Sequence, residues 1–332
     1  MQCFTPEFYK DFRCIASACP DSCCKEWEVD IDQQTAALYR GLPGELGDSL
    51  RQVLRTTEDG TCMTIQDGRC PMWQADGLCR IHRELGHDAL SRTCREYPRI
   101  RHDYCDFVEL GLELSCPEAA RLILASPYRM EETVIAGDSE EALDAPLLQT
   151  LLRSRREALF FLENADLPVP HKLAVLLLFA HDIQEEIDGG APAVLTPQEN
   201  LQDALRYAGS GDFSLVTDFF LSLEILTPQW KTRLTSAPTP APWDDIHLAL
   251  VRYFIHRYWL QAVSDYDLIC RVKFMIIGCL LVRALGGDPI ATAQLFSKEI
   301  ENDPDNLEAI LDGAYTSQAL TDVQLLSLLM NP

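Results

Sequence analysis

The spacing of apolar residues divides the chain into two kinds of sequence. From about residue 147 onward, apolar side chains recur at helical intervals, as in Leu173, Leu176, Leu177, Ala180 and Ile187. Residues three or four apart share one face of a helix, so this spacing predicts amphipathic helices packed on a common core. Further helices are expected near 151–164, 198–208, 214–226, 246–254, 267–286, 290–300, 305–316 and 321–330, where Asp, Gly and Pro supply boundaries.

The first 130 residues show no long periodic run and are rich in turn formers, such as Asp67-Gly68 and Asp76-Gly77. We expect an irregular region with one short hairpin, around Met63–Ile65 and Met72–Gln74. A helix is expected around Ile81–Glu84 and Ala89–Thr93. The run TSAPTPAP at 235–242 is a connector, because its alternating prolines exclude regular structure.

These patterns predict a mainly α protein with a helical bundle-like body and an irregular, cysteine-rich, metal-binding N-terminal region. We expect regions 1–130 and 131–332 to pack as one unit. A Rossmann fold is not expected, because Gly209-Ser210-Gly211 is the only Gly-x-Gly and follows the helical stretch LQDALRYA instead of a strand. It is interpreted as a helix-ending turn.

Charge and composition restrict the partners. Hydrophobic residues make up 47% of the chain and charged residues 24%, which is typical of a globular protein. The net charge of −23 disfavours nucleic-acid binding and favours solubility or a basic, lysine-bearing protein partner. The first residues, MQCFTPEFYKDFRC, have no basic stretch followed by an apolar one, so nothing in them marks secretion. The apolar run Phe274–Val282 is far too short to span a bilayer. We therefore expect a cytoplasmic protein without membrane contact.

Cysteine is the most informative residue type. Eleven of the thirteen cysteines precede residue 117, and in a reducing compartment that density indicates metal or redox chemistry instead of disulfides. Soft thiolates select zinc or an iron–sulfur cluster, and Cys-Pro at 19–20, 70–71 and 116–117 favours the cluster. The candidate ligands are Cys14, Cys19, Cys23, Cys24, Cys70, Cys79, Cys94 and Cys116.

The other cysteines and one histidine have simpler interpretations. We expect small buried side chains at Cys3, Cys62, Cys105, Cys270 and Cys279. His82 follows Cys79 at a zinc-type spacing, but a surface helix residue is the favoured interpretation. Eight thiols exceed the four that one four-iron cluster takes, so either some do not bind metal directly or more than one metal is present.

Two known cluster patterns do not fit. The C-x3-C-x2-C pattern of radical S-adenosylmethionine enzymes would need a cysteine where Glu26 stands. The plant-ferredoxin pattern would need one at Ser22.

Four sequence blocks carry a family resemblance. FRCIASACPDSCCKEWEVDID, CPMWQADGLCRIHRELG, ALSRTCREYPRI and ELSCPEAARLIL, within residues 12–124, resemble the successive signatures of the flagellin lysine-N-methylase family. The resemblance implies methylation of flagellin lysines in the bacterial cytoplasm, with S-adenosylmethionine as donor and a [4Fe-4S] cluster as cofactor. Among the family cysteines we favour Cys19, Cys23, Cys70 and Cys79 as ligands.

Lysine methylation makes its own demands on the site. A lysine ammonium has a pKa near about 10.4, so a base must take its proton before methyl transfer. Tyr97, Glu96 and Asp21 are candidate bases because they lie near the cysteines in sequence. Arg99 and Arg101 are candidates for binding a donor carboxylate. Two other functions stay open: a zinc-stabilised acidic interaction module without catalysis, and a redox or electron-transfer iron–sulfur protein.

Overall fold

The computed structural model describes residues 1–58, 60–137, 143–209 and 211–331. Within these ranges the chain is mainly helical, as the periodicity predicts, and no Rossmann fold is present. Fifteen α-helices are found in the described part: α1 Gln33–Gly41, α2 Gly44–Val53, α3 Arg80–Leu85, α4 Arg92–Glu96, α5 Pro117–Ala125, α6 Ala145–Asn164, α7 Val169–Ile187, α8 Pro197–Leu205, α9 Phe213–Leu221, α10 Pro228–Thr235, α11 Asp245–Tyr258, α12 Ile269–Ala284, α13 Pro289–Phe296, α14 Pro304–Thr316 and α15 Asp322–Met330.

The helix starts follow local capping chemistry. Asp144 accepts the backbone N–H of Leu147 at the start of α6, and Asp244 forms a capping box with His247 at the start of α11. Each cap satisfies a backbone donor that the helix leaves free. Gly209 follows α8 in a bend, which agrees with the helix-ending turn, while Ser210 lies outside the described residues.

In the described ranges, seven short strands form two sheets. The strands are β1 Gln2–Pro6, β2 Val29–Asp30, β3 Leu54–Thr56, β4 Thr61–Met63, β5 Arg99–Tyr104, β6 Phe107–Leu112 and β7 Met130–Val134. The larger sheet has the order β5-β6-β1-β7, with β1 parallel to β6 and antiparallel to β7. The smaller sheet has the order β2-β4-β3.

The predicted hairpin is wrong in its second strand. Met63 lies in β4, but it pairs with Leu54 of β3 and Val29 of β2. Met72 lies in a turn. The cause is the Asp67-Gly68 turn, whose residues have φ of 50° and 70°. It reverses the chain so that Arg69 bridges back to Gln66 and to Lys25.

Apolar side chains form two cores. The smaller core gathers residues between Val29 and Leu90. The larger one contains the buried residues of the helices from α5 onward together with Phe8, Phe12 and strand residues between Tyr104 and Leu112. The sequence division at residue 130 stays a prediction.

Helix α12 lies at the centre of the larger core. Apart from Arg283, every residue from Ile269 to Ala284 is buried, including Arg271 and Lys273, which pair with Asp265 and Asp322. A Cβ at Gly278 would lie 2.9 Å from Phe254, so neighbouring aromatic rings pack against bare backbone there. In the described part of the chain, no helix has the length and apolarity needed to cross a bilayer.

A buried ion pair joins the larger sheet to the helices. The Arg155 guanidinium on α6 donates to both carboxylate oxygens of Glu109 on β6, at 2.8 and 2.6 Å. Both side chains are at most 10% exposed. Burial opposes the charge on Arg155, yet the bond to Glu109 leaves its pKa above the usual value.

Candidate metal centre

The structure brings the eight candidate cysteines together. Each thiol interacts electrostatically with at least one other, and Cys23 interacts with six of the other seven. These thiols come from five separate stretches: the loop before the Ala16–Ala18 turn, residues 19–24, residues 70–79, helix α4 and the start of α5. Tertiary folding, not local sequence, creates this thiol site.

Backbone N–H groups lie near four of the thiols and favour their thiolate forms. They belong to the residues two and three positions after Cys70, Cys79 and Cys116, and to Asp21 for Cys19. Cys79 and Cys116 occupy N-cap positions of α3 and α5, where backbone donors are free. Proline follows Cys19, Cys70 and Cys116 and contributes no N–H of its own. Hydrogen bonds of this kind stabilise thiolate ligands and tune iron–sulfur clusters.

Backbone pairing places Cys24 beside Cys70. The Cys70 N–H donates to the Cys24 carbonyl at 2.8 Å, and the Cys24 thiol hydrogen-bonds the sulfurs of Cys23 and Cys70. Cys24 therefore keeps its proton, with its pKa raised. The same bonds lower the pKa of Cys23, and they lower that of Cys70 to about 7.

The thiol site is a recess that reaches solvent. Cys14, Cys23 and Cys94 are exposed residues, while Cys70 is buried and the remaining four are half-buried. Although Cys94 is an exposed residue, loss of water around its sulfur raises the pKa of that thiol to about 12, and burial raises the pKa of Cys116 to about 12 as well. A metal would have to displace those protons, since thiolates are the binding form.

The donor chemistry fits a thiolate-bound metal. Soft sulfur donors predominate in the recess, and backbone N–H groups already point at four of them. Among the described residues, no three or more His, Cys, Asp or Glu side chains are arranged to hold a metal ion as they stand. The quartet Cys19, Cys23, Cys70 and Cys79 therefore stays a prediction.

Tyr97, a predicted base, lies beside this recess. Its hydroxyl is 3.0 Å from the Ser115 hydroxyl, and it interacts electrostatically with Cys116 and Cys23. Ser115 in turn hydrogen-bonds the carboxylate of Glu113, whose pKa is raised by burial. Burial also raises the pKa of Tyr97 well above its usual value. The sequence offered no signal for Glu113 or Ser115 beyond their nearness to Cys116.

The other predicted site residues have different surroundings. Glu96 is exposed at the end of α4, and His82 is exposed on α3. The Arg99 guanidinium lies over the rings of Tyr9 and Phe12, at 5.7 and 5.0 Å.

Arg101 already has a carboxylate partner. Its guanidinium forms a two-pronged pair with Asp103, at 2.9 and 2.6 Å. Arg101 therefore has fewer guanidinium N–H groups left for a ligand carboxylate than Arg99 has.

Asp21 is committed to a buried lysine that sequence reasoning missed. Lys298 donates to Asp21 at 2.9 Å and to Glu26 at 2.7 Å, and it lies 5.0 Å from the Trp27 ring. Burial opposes ionisation of Asp21, but the lysine outweighs it and lowers the pKa of that carboxyl. A lysine two residues from Phe296 and two from Ile300 was a detectable signal, although its partners could not be read from sequence.

Part of the chain is similar to three known proteins. The chain is 33% identical over 139 residues to the flagellar biosynthetic protein FliU of Salmonella muenchen, a match that covers 38% of the chain and 78% of FliU. The chain belongs to the lysine-N-methylase family. The Lysine-N-methylases of Salmonella choleraesuis and Salmonella typhimurium, two members, are each 33% identical over 164 residues, or 44% of the chain.

The match to the two Lysine-N-methylases is partial in length. It covers 39% of each of them, so the chain matches well under half of those relatives. No protein-family model matches the chain. No solved structure matches it either.

Proposed function

We propose that this chain takes part in methylating lysine side chains of flagellin, in the bacterial cytoplasm. In the proposal S-adenosylmethionine is the methyl donor and the thiol site holds a [4Fe-4S] cluster. The names of the relatives support lysine methylation and a flagellar substrate. The observation that carries the metal part is the convergence of eight thiols, four of them with backbone N–H donors.

The ligands come from the gathered cysteines. We favour Cys19, Cys23, Cys70 and Cys79, and the solvent-facing side of the recess gives a metal a way in. A cluster held there would supply one-electron chemistry or a binding point for a ligand of iron. The protein's contribution is to fix the thiolates and to limit water around the deeper ones.

Methyl transfer requires a neutral amine. The lysine nitrogen attacks the donor methyl carbon with its lone pair, the carbon–sulfur bond breaks, and the electron pair of that bond stays on sulfur. The proton must leave the ammonium beforehand. The hydrogen-bonded series Tyr97, Ser115, Glu113 offers a route: Tyr97 receives the proton and passes its own through Ser115 to the Glu113 carboxylate.

Two features support binding of the reactants. Arg99 retains a guanidinium that can pair with the carboxylate of the donor, whereas Arg101 is held by Asp103. The net charge of −23 attracts a lysine-bearing protein surface and raises its rate of encounter at low salt.

Metal analysis and a methylation assay test the proposal separately. Protein purified without oxygen is analysed for iron, sulfide and zinc, then incubated with flagellin and S-adenosylmethionine. We expect iron with sulfide, and lysine peptides heavier by one methyl group or more. Zinc without iron would overturn the cluster, and unmodified flagellin alongside a fully loaded enzyme would overturn the methylation.

Single substitutions test the ligands. We expect a lower iron content in each of four variants, because each loses one thiolate: Cys19→Ser, Cys23→Ser, Cys70→Ser and Cys79→Ser. Cys279→Ala is the matched control: Cys279 is fully buried in α12, away from the thiol site, and the variant should keep its iron. Normal iron in any of the four serine variants would remove that cysteine from the ligand set.

A further inference from the structure

Lys298 is a buried charge that faces the cysteine-rich region. The side chain is 2% exposed and belongs to a π-helical turn, Ser297–Glu301, that continues α13. Its three partners, Asp21, Glu26 and Trp27, all lie between Cys19 and β2. Burying an ammonium costs several kcal/mol unless partners offset it, so these contacts hold the segment against the helix.

Gln294 makes a second connection one turn earlier on α13. Its amide donates to the Ser115 carbonyl at 2.8 Å and to the Asp21 carboxylate at 3.3 Å. Ser115 immediately precedes Cys116, and Asp21 lies two residues after Cys19. One short stretch of the helical body therefore touches both the segment that follows Cys19 and the residue before Cys116, two cysteines whose thiols interact with each other.

The helix is irregular where these contacts are made. A π-helical turn has one more residue per hydrogen-bonded loop than an α-helical turn, and such turns are rare and concentrated at functional sites. Glu26, the lysine's second partner, has a positive φ of 69°, which is strained for a residue with a Cβ. The helix that carries Lys298 and the backbone at Glu26 thus both depart from relaxed geometry.

We propose that Lys298 and Gln294 are positioning residues that set the spacing between the Cys19–Cys24 segment and Cys116 and so control how firmly the thiol site holds its metal. This inference rests on the proposed function, because it assumes a thiolate-bound metal. Without the ammonium, the longer pair of Asp21 with Lys25, at 3.7 Å, is left to offset the two neighbouring carboxylates of Asp21 and Glu26. Their repulsion loosens the segment, and the metal leaves faster.

A second buried lysine supplies the control. Lys273 on α12 is 7% exposed, donates to the Ala314 carbonyl at 2.8 Å and pairs with Asp322 at 3.0 Å. Its contacts lie in the helical body. Lys273→Met therefore removes a comparable buried charge without touching the segments that carry the thiols.

The experiment measures metal release. Four proteins are loaded with iron and sulfide: the parent, Lys298→Met, Gln294→Leu and Lys273→Met. Each is treated with a chelator below its unfolding temperature, and the iron content per folded chain is followed over time. We expect release at least tenfold faster from Lys298→Met and a smaller acceleration in Gln294→Leu, which changes no charge. Lys298→Arg keeps the charge and should recover part of the retention. Lys273→Met should release metal at the parent rate even though it unfolds more easily.

Two results would overturn the inference while leaving the proposed metal site in place. Parent-like release from both Lys298→Met and Gln294→Leu would show that the contacts do not control retention. Equal acceleration in Lys273→Met would show that general destabilisation is responsible. A parent that binds no metal would overturn the proposed metal site and this inference with it, which distinguishes that failure from the first two.

Discussion

The ion pair between Glu109 and Arg155 makes a quantitative test of the fold. Replacing Arg155 by Met keeps most of the side-chain volume but leaves the Glu109 carboxylate, 6% exposed, without its partner. An unpaired buried charge of this kind costs about 3–5 kcal/mol of the free energy of unfolding. Replacing both residues, Glu109→Leu with Arg155→Met, removes both charges and should restore most of that stability, since such exchanges are often neutral.

Urea denaturation followed by tryptophan fluorescence measures these differences. The matched control is Lys10→Met, because Lys10 pairs with Glu131 of β7 at 2.8 Å but both side chains are exposed, at 64% and 43%. That change should cost far less stability than Arg155→Met, and added salt should erase the difference, because the exposed pair is screened by solvent. A loss below about 1 kcal/mol in Arg155→Met, or a double variant as unstable as the single one, would refute the reasoning.

Three further predictions concern other buried features. Asp322→Asn should weaken the loss of stability at acid pH. His181 and Lys273 lower the pKa of Asp322 to about 2 despite its partial burial, so the stability that the carboxylate adds is present above about pH 4 and is lost as pH falls through 2. Acid titration of the parent and the variant measures the difference. Ser154→Ala should cost about 1–3 kcal/mol in urea melts, because the Trp259 indole N–H, now 3.0 Å from that hydroxyl, would be left buried and unpaired. Gly278→Val should cost about 1–3 kcal/mol or more, measured in the same way, because its Cβ would collide with the Phe254 ring; unchanged stability in either variant would contradict the packing described.

The helices were predictable because their signal is local. Regular apolar spacing and Asp, Gly or Pro boundaries lie within each segment, and α7 at Val169–Ile187 matches the predicted stripe. Helix α10 at Pro228–Thr235 was missed because its eight residues offer too few turns for a periodic pattern. The strands of the larger sheet were missed because β1 pairs with residues about 100 positions away, and no local pattern encodes such pairing.

The site was predictable in composition but not in arrangement. Residue type and grouping along the chain singled out eight of the thirteen cysteines, and proline after three of them favoured an iron–sulfur site. The neighbours of those thiols come from distant sequence: Lys298 reaches Asp21 and Glu26 only through tertiary packing. Glu26 illustrates the limit, since the sequence marked it only as a missing cysteine, whereas the structure shows it binding a buried lysine.

The position of β1 inside the larger sheet has a consequence for protein synthesis. Its neighbours β6 and β7 are translated later, so a nascent chain carries β1 unpaired while the intervening sequence is made. At about 5–20 residues per second, the roughly 100 residues from β1 to β6 take on the order of 5–20 s to emerge. The residues that carry all eight thiols lie between β1 and β7, so they leave the ribosome before the larger sheet can be completed. During that interval they are open to oxidants and stray metals, which makes the reducing state of the cell part of how this protein matures.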